Sequence, residues 1–312
     1  MRIAILGATS QIAQDFIQSV RGRAPLDFGL FARQPDVVRE RLAGASFCRP
    51  PVIGDFASFM SQTDPFDAVV NFIGSGNPAA TARIGASILD VTHEFDSLAV
   101  EYIRNYPGCR YIFFSSGAVY GRGFLEPADE NTNALVAVNN LEPTDWYGLA
   151  KLYAECRHRA LSNLPIVDVR IFNYFSASLD IEARFLITDM LRAIMHGDVF
   201  QTSRENIMRD YVGPSEICEL VLRVLESPPM NVAVDCFTKA PIDKISMLGV
   251  MESEFGLSYE LVDNQTGLSA TGAKVNYYSS SRKATKLFGY VPHSTSLEVI
   301  LEQSRQVLAY TT

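Results

Sequence analysis

The sequence predicts an α/β fold: a doubly wound parallel sheet followed by a smaller C-terminal lobe. Three observations predict it. Short apolar runs alternate with helical patterns through the first half of the 312-residue chain. The chain opens on an apolar run that ends at Gly7 and leads into a helix. The alternation becomes irregular after Phe172. Near-continuous apolar strands separated by helices belong to parallel sheets covered on both faces, and right-handed crossovers then wind the chain to both sides.

Taken in order, residues 2–6 form the first strand and 11–20 a helix. Residues 27–32 form the second strand and 35–42 a helix. Residues 47–53 are a weak third strand, broken by Pro50 and Pro51, since proline lacks the donor that a ladder needs. Residues 68–73 (AVVNFI) form the fourth strand, and a long helix lies within 79–106. Residues 110–115 (RYIFFS) form the fifth strand, 147–161 a helix, and 166–172 (IVDVRIF) the sixth strand. Beyond it, helices are predicted at 183–196, 214–226, 246–255, 279–287 and 297–308, with a polar loop at 265–272.

Composition narrows the function classes. The chain is 47% hydrophobic and 20% charged, which suits a packed core and excludes a disordered protein. At about 150 residues per domain it holds two domains, or one large domain with an appendage. Acidic residues outnumber basic ones, 35 to 27, for a net charge of -8. That balance argues against nucleic acid as a partner. No apolar run approaches the ~18 residues of a membrane span. The apolar start, residues 3–6, is shorter than the ~7–15 residues of a secretory signal. Cys48, Cys109, Cys156, Cys218 and Cys236 form no C-x-x-C pair. We read them as small buried residues in a reducing, cytoplasmic setting. His93, His158, His196 and His293 show no metal-ligand spacing, and no metal is expected.

The N-terminal strand, turn and helix suit a dinucleotide (Rossmann) site, where a helix N-terminus points free N–H groups at a diphosphate. Gly7 supplies the turn. Ser10 and Ala13 stand where a G-x-x-G-x-x-G loop would carry its later glycines, and Ser10, Gln11 and Ile12 open the helix beneath the phosphates. Asp27 lies at the spacing of an acid that binds a ribose 2′-OH, but it falls at the start of the second strand. Arg33 falls at its end, where a guanidinium suits a 2′-phosphate, so the expected cofactor is NADP, with NAD as the alternative. Asp55 and Phe56 are placed to hold the adenine, and Gly74, directly after the fourth strand, is counted with the cofactor residues.

Tyr147 and Lys151 are four residues apart, about one helical turn, and share a face. A phenol titrates near pH ~10, and a neighbouring ammonium favours phenolate. Such a phenol exchanges a proton with a carbinol while hydride moves to or from a nicotinamide. Ser116, where the fifth strand ends in SSGAVYG, is placed to hydrogen-bond the reacting oxygen.

These motifs resemble those of the extended short-chain dehydrogenase/reductases, the NAD(P)-dependent sugar-nucleotide epimerase, dehydratase and reductase group. The resemblance runs through the N-terminal loop, SSGAVYG, YGLAK, residues 170–174 (RIFNY), 209–212 (RDYV), 281–284 (SRKA) and 287–292 (LFGYVP). It implies that Ser116, Tyr147 and Lys151 are catalytic. It implies Tyr147, Lys151 and Phe172 beside the nicotinamide, and Ser116, Asn173 and Arg209 on the nucleotide-sugar side. It also implies a homodimer, and a cofactor domain of residues 1–172, with 209–238 returning to it. Residues 173–208 and 239–312 would form the substrate-binding lobe. The chain departs from the pattern at Ser10 and Ala13, and at Gly213-Pro214-Ser215, where the family has His-Val-Asp.

The family's dehydratases carry an Asp-Glu pair where this chain has Gly117 and Ala118, neither of which transfers a proton. Its 3,5-epimerising reductases use a Cys and a His, and none adjoins a motif here. The resemblance thus leaves NADPH-dependent reduction of a 4-keto (6-deoxy) nucleotide sugar as the first expectation. An NAD-dependent 4-epimerase is the second, and a non-catalytic dinucleotide sensor the third.

Overall fold

The computed structural model describes residues 1–74, 81, 83–263 and 274–309; the loop expected at 265–272 lies outside them. In chain order the elements are β1 (Arg2–Leu6), α1 (Gln11–Val20), β2 (Asp27–Phe31), α2 (Pro35–Arg41), β3 (Val52–Gly54), α3 (Phe56–Met60), β4 (Ala68–Asn71), α4 (Ser87–Asn105), β5 (Arg110–Ser116), α5 (Trp146–Ala160) and β6 (Ile166–Ile171). There follow β7 (Asn173–Tyr174), α6 (Leu186–His196), β8 (Val199–Ser203), β9 (Met208–Arg209), β10 (Tyr211–Val212), α7 (Pro214–Glu226), β11 (Val232–Asp235), β12 (Ile242–Asp243), α8 (Lys244–Phe255), β13 (Ser258–Val262), β14 (Asn276–Tyr277), α9 (Lys283–Phe288) and α10 (Ser296–Ala309). Among the described residues no helix is long and apolar enough to cross a membrane.

Seven parallel strands form the main sheet in the order β11-β6-β5-β4-β1-β2-β3. The chain runs outward from β1 through β2 and β3, then returns to β4 on the other side. The crevice at the carboxyl ends of β1 and β4 is therefore the topological switch point, where such sheets bind ligands. Alternation along β5 decides the layers: Ile112 and Phe114 enter one core, Tyr111 and Phe113 the opposite one. On the first face α1 buries Ala13, Phe16, Ile17 and Val20, the spacing of a single helical stripe. A third cluster joins α6, α8 and α10 around Met190, Leu248 and Ile300. Ala284, Phe288 and Tyr290, from the last third of the chain, pack into the main sheet's core.

Several boundaries differ from the sequence expectation for physical reasons. The third strand begins at Val52, after both prolines, and not at Phe47. The helix expected from Ser279 begins at Lys283. Ahead of it Ser279 Oγ accepts from the Ser281 N–H and Ser281 Oγ from the Lys283 N–H, so the serines bond their own backbone in place of a helical ladder. The edge strand β11 was not expected; it is short and follows two prolines. Cys109, Cys218 and Cys236 are buried as expected, but Cys48 and Cys156 are exposed.

A charged network lies under the sheet's second face. His158 of α5 is fully buried, 2.7 Å from Asp96 on α4 and 2.6 Å from Asp168 on β6. With a carboxylate at each nitrogen, the ring donates twice only as imidazolium. Burial opposes that charge, but the hydrogen bonds and charges of Asp168 and Asp96 prevail and raise the His158 pKa to about 9. Arg157 and Arg159 bind the outer oxygens at 2.7 and 2.8 Å.

The folded-state pKa lies above the ordinary 6.5, so this contribution is whole below about 6.5 and is lost as pH rises through about 9. The thermal midpoint should fall across that window. His158→Ala, which strands two buried carboxylates, should cost about 3–5 kcal/mol in denaturant unfolding and remove that part of the pH dependence. A midpoint that stays level in the wild type over the same window would contradict the assignment.

Candidate active site

The switch-point crevice is built first by backbone. Gly7 adopts φ +77 and its N–H donates to the Phe31 carbonyl at 2.9 Å. A Cβ there would lie 2.9 Å from Ile73 Cγ1, so the β1 turn and the segment after β4 approach closely only because residue 7 is glycine. Ser10 caps α1, its Oγ accepting from the Ala13 N–H at 3.4 Å. The N–H groups of Gln11 and Ile12 have no partner among the described residues. Two free donors on a helix N-terminus, with no Cβ at Gly7, fit a dinucleotide diphosphate. The Gln11 side chain is turned elsewhere and donates to Ser176 Oγ at 2.8 Å.

The nucleoside end also takes shape. Asp27 sits at the amino end of β2, paired with Arg49 at 2.8 Å, far from the carboxyl-end crevice. Arg33 is exposed just past β2 and makes no ion pair among the described residues. Asp55 caps α3: one of its oxygens accepts from the Ser58 hydroxyl at 2.6 Å and the Ser58 N–H at 2.7 Å, and these bonds lower its pKa. The Phe56 ring packs against Phe95 with centroids 4.5 Å apart.

The catalytic candidates converge on the carboxyl ends of β4 and β5. Ser116 closes β5 and Tyr147 lies in the first turn of α5, whose next residue, Gly148, packs so near the strand end that a Cβ would stand 2.7 Å from the Ala118 carbonyl oxygen. Lys151 is 2% exposed. Its ammonium donates to the Phe114 carbonyl at 2.8 Å and the Ile73 carbonyl at 3.4 Å, and sits 4.3 Å over the Phe113 ring. Gly74, at φ +149, passes so close that a Cβ would stand 3.2 Å from Lys151 Nζ.

The electrostatics correct one expectation. Lys151 was to lower the phenol's pKa; instead burial raises the Tyr147 pKa, and the Ser116 hydrogen bond is the influence that lowers it. Burial also pushes Lys151 down to about 8, against the pull of Asp96, Asp168 and Glu155. Both groups are desolvated, and the ammonium donates to main-chain carbonyls at the strand ends.

Three further candidates are anchored in the fold. Phe172 packs over Gly117, in an aromatic cluster with Tyr120, Phe124 and Tyr277. Asn173 Nδ2 donates to the Asp210 and Tyr277 carbonyls at 3.1 and 3.3 Å. Arg209, expected on an anionic substrate, is 3% exposed, and its Nη1 donates to the carbonyls of Met208, Lys274 and Val275. These bonds tie β9 to the segment that leads into β14. Two residues escaped the sequence reading. Tyr277 packs on Phe172 with ring centroids 5.3 Å apart, and the Lys274 ammonium stands 4.5 Å over the Tyr277 ring and 4.9 Å over Phe124. The only sequence signal was their place just ahead of the SRKA motif.

Comparison with known proteins follows this geometry. The sequence model of the NAD dependent epimerase/dehydratase family matches residues 3–234. No curated protein sequence matches the chain. Among solved structures, a UDP-glucose 4-epimerase from Thermotoga maritima with UDP-glucose superposes with TM-score 0.80 at 14% identity, over 100% of both chains. A UDP-glucuronic acid 4-epimerase from Bacillus cereus, with UDP-glucuronic acid and NAD, gives 0.77 at 13%, over 99% of this chain and 100% of that one. A dTDP-glucose 4,6-dehydratase from Bacillus anthracis with NAD gives 0.77 at 16%, over 99% and 97%. At such identities the likeness establishes the fold.

Gly117 tests the packing at this site. A Cβ there would fall 2.5 Å from Phe172 Cε1 and closer still to Cδ1. Gly117→Ala should therefore displace Phe172 and cost about 1–3 kcal/mol, read by denaturant unfolding. A fully stable variant would show that the ring is not held as described.

Proposed function

The chain belongs to the NAD dependent epimerase/dehydratase family of enzymes, and on that premise we propose that it moves hydride at C4 of a nucleotide sugar, with NADPH-dependent reduction of a 4-keto (6-deoxy) sugar as the reaction. The observation that carries the proposal is the convergence of Ser116 at the carboxyl end of β5, Tyr147 in the first turn of α5 and the buried Lys151, whose ammonium donates to the Phe114 carbonyl at 2.8 Å, beside the crevice capped by the free N–H groups of α1.

The residues divide the work. The N–H groups of Gln11 and Ile12 and the hydroxyl of Ser10 hold the diphosphate. Arg33, free of ion pairs, meets a 2′-phosphate, while Asp27 is held away at the opposite end of β2. Asp55 and Phe56 take the adenine. Bound NADPH supplies the hydride. Tyr147 gives its phenolic proton to the oxygen that becomes the C4 hydroxyl, and Ser116 donates a hydrogen bond to that same oxygen. Lys151 fixes the helix and the strand ends, and its position next to Gly74 suits it to the cofactor's ribose hydroxyls. Elimination of water would need an acid near residue 117, and the Phe172 ring leaves no room for one.

A second reading is an NAD-dependent 4-epimerase. It is favoured by those structural neighbours that are named 4-epimerases and were solved with NAD or a UDP-sugar. Purified protein mixed with NADPH and a 4-keto-6-deoxy nucleotide sugar should consume reduced cofactor stoichiometrically. Interconversion of 4-epimers without added cofactor would instead establish the second reading, and binding without turnover would defeat both.

Tyr147→Phe should lower kcat by about 10²–10⁴-fold with cofactor affinity retained; near-normal turnover would overturn the proton-donor role. Arg33→Ala should weaken NADPH and leave NADH binding unchanged, as measured by calorimetric titration. Equal losses for both would reverse the cofactor assignment.

A further inference from the structure

Asp15 lies about one helical turn beyond Gln11, on the same face of α1. Among the described residues its carboxylate makes no ion pair and takes three hydroxyls instead. Tyr174 donates to Oδ2 at 2.6 Å and Ser176 to Oδ2 at 2.7 Å. Ser178 reaches Oδ1 at 2.7 Å and Oδ2 at 2.9 Å. Hydroxyl bonds to an ionised carboxylate are among the stronger ones. Ser176 is buried; it spends its proton on Asp15 and accepts from Gln11 Nε2 at 2.8 Å. Gln11 and Asp15 thus grip one segment of chain from one side of the helix.

That segment leads out of the sheet toward the lobe. Residues 174–178 directly follow Asn173 and Phe172, the ring that covers Gly117. Tyr174 pairs with Val212 of β10. Further on, the Phe175 N–H donates to the Val212 carbonyl at 3.1 Å, the Ala177 N–H to Gln303 Oε1 at 2.8 Å and the Leu179 N–H to the Ser176 carbonyl at 3.1 Å. At the other end of the contact stands the first turn of α1, whose N–H groups are the free donors of the crevice.

We propose that Asp15 is a positioning residue that couples the two sides of the site. With its three hydroxyl partners it clasps the diphosphate end of α1 to the segment after Asn173, so that an occupied crevice steadies the strand end that carries Phe172 and Asn173. The argument is one of linkage. Gln11 to Asp15 is a single hydrogen-bonded turn, so the donors of the crevice and the carboxylate move together. Opening of residues 174–178 strips the hydroxyls from a half-buried anion and frees that turn to fray, and the diphosphate donors fray with it. A ligand that needs those donors therefore suppresses the opening in proportion to its saturation. The coupling rests on the reading that a dinucleotide diphosphate occupies the crevice.

ADP carries the diphosphate and adenosine without a nicotinamide, and it serves as the probe. Calorimetric titration gives its Kd, and hydrogen exchange read by mass spectrometry follows peptides covering residues 174–179. In the wild type, ADP at about ten times its Kd should slow exchange there by about fivefold to tenfold. In Asp15→Ala, ADP should still bind, exchange should be faster, and ADP should no longer change it. Tyr174→Phe combined with Ser178→Ala leaves the carboxylate on Ser176 alone and should reduce the ADP effect by about half or more; it decides the matter if Asp15→Ala does not fold. An Asp15 that served stability only would lower the thermal midpoint and leave the ADP effect in place, so an effect of wild-type size in these variants overturns the proposal. ADP binding to the wild type with unchanged exchange at 174–179 overturns it too and leaves the cofactor reading standing. Absence of ADP binding to the wild type refutes the cofactor reading itself, and the coupling with it.

Discussion

The ammonium of Lys151 ties the helix that carries Tyr147 to the carboxyl ends of two neighbouring strands. Its donors reach the Phe114 carbonyl of β5 and the Ile73 carbonyl after β4, and the ring of Phe113 lies beneath it. A desolvated cation is costly unless its protons are taken up. Main-chain carbonyls and a π face take them up at the one edge where the sheet's topology reverses. The position of Tyr147 relative to Ser116, and of the Gly74 backbone relative to both, follows from that anchor.

Two different electrostatic solutions meet on helix α5. At its first turn, burial raises the phenol and only a hydroxyl bond counters it. At its last turn, His158 is held as a cation between two buried carboxylates, which outweigh its desolvation. Between them Glu155 accepts from Ser115 at 2.5 Å and pairs with Arg170 at 2.5 Å, and Arg170 reaches the Tyr120 hydroxyl at 2.6 Å. The helix is therefore tied to the sheet by charge along its length.

Packing narrows the chemistry as much as charge does. Phe172 occupies the volume over Gly117, Tyr277 packs on Phe172, and Arg209 and Asn173 bracket the strand that carries Tyr277. Asn173 and Arg209, which the sequence places on a substrate, also donate to main-chain carbonyls around β14.

Strand and helix identities were legible from the sequence because period and burial coincide. β1, α1 and α7 begin and end where apolar alternation or a 3.6-residue stripe begins and ends, and Pro214 marks the start of α7. The Gly7 turn, Ser116, Tyr147 and Lys151 were legible because their chemistry depends on local spacing. What required the tertiary structure was every property set by non-local neighbours. The loss of the Lys151 influence on Tyr147 depends on carbonyls contributed by β4 and β5. The main-chain bonds of Arg209 depend on the segment leading into β14, and the packing of Tyr277 on Phe172 depends on strands far apart in the chain. Spacing along one helix fixes which side chains share a face; the dielectric around them, and the partner that takes each proton, is decided only when distant segments close over that face.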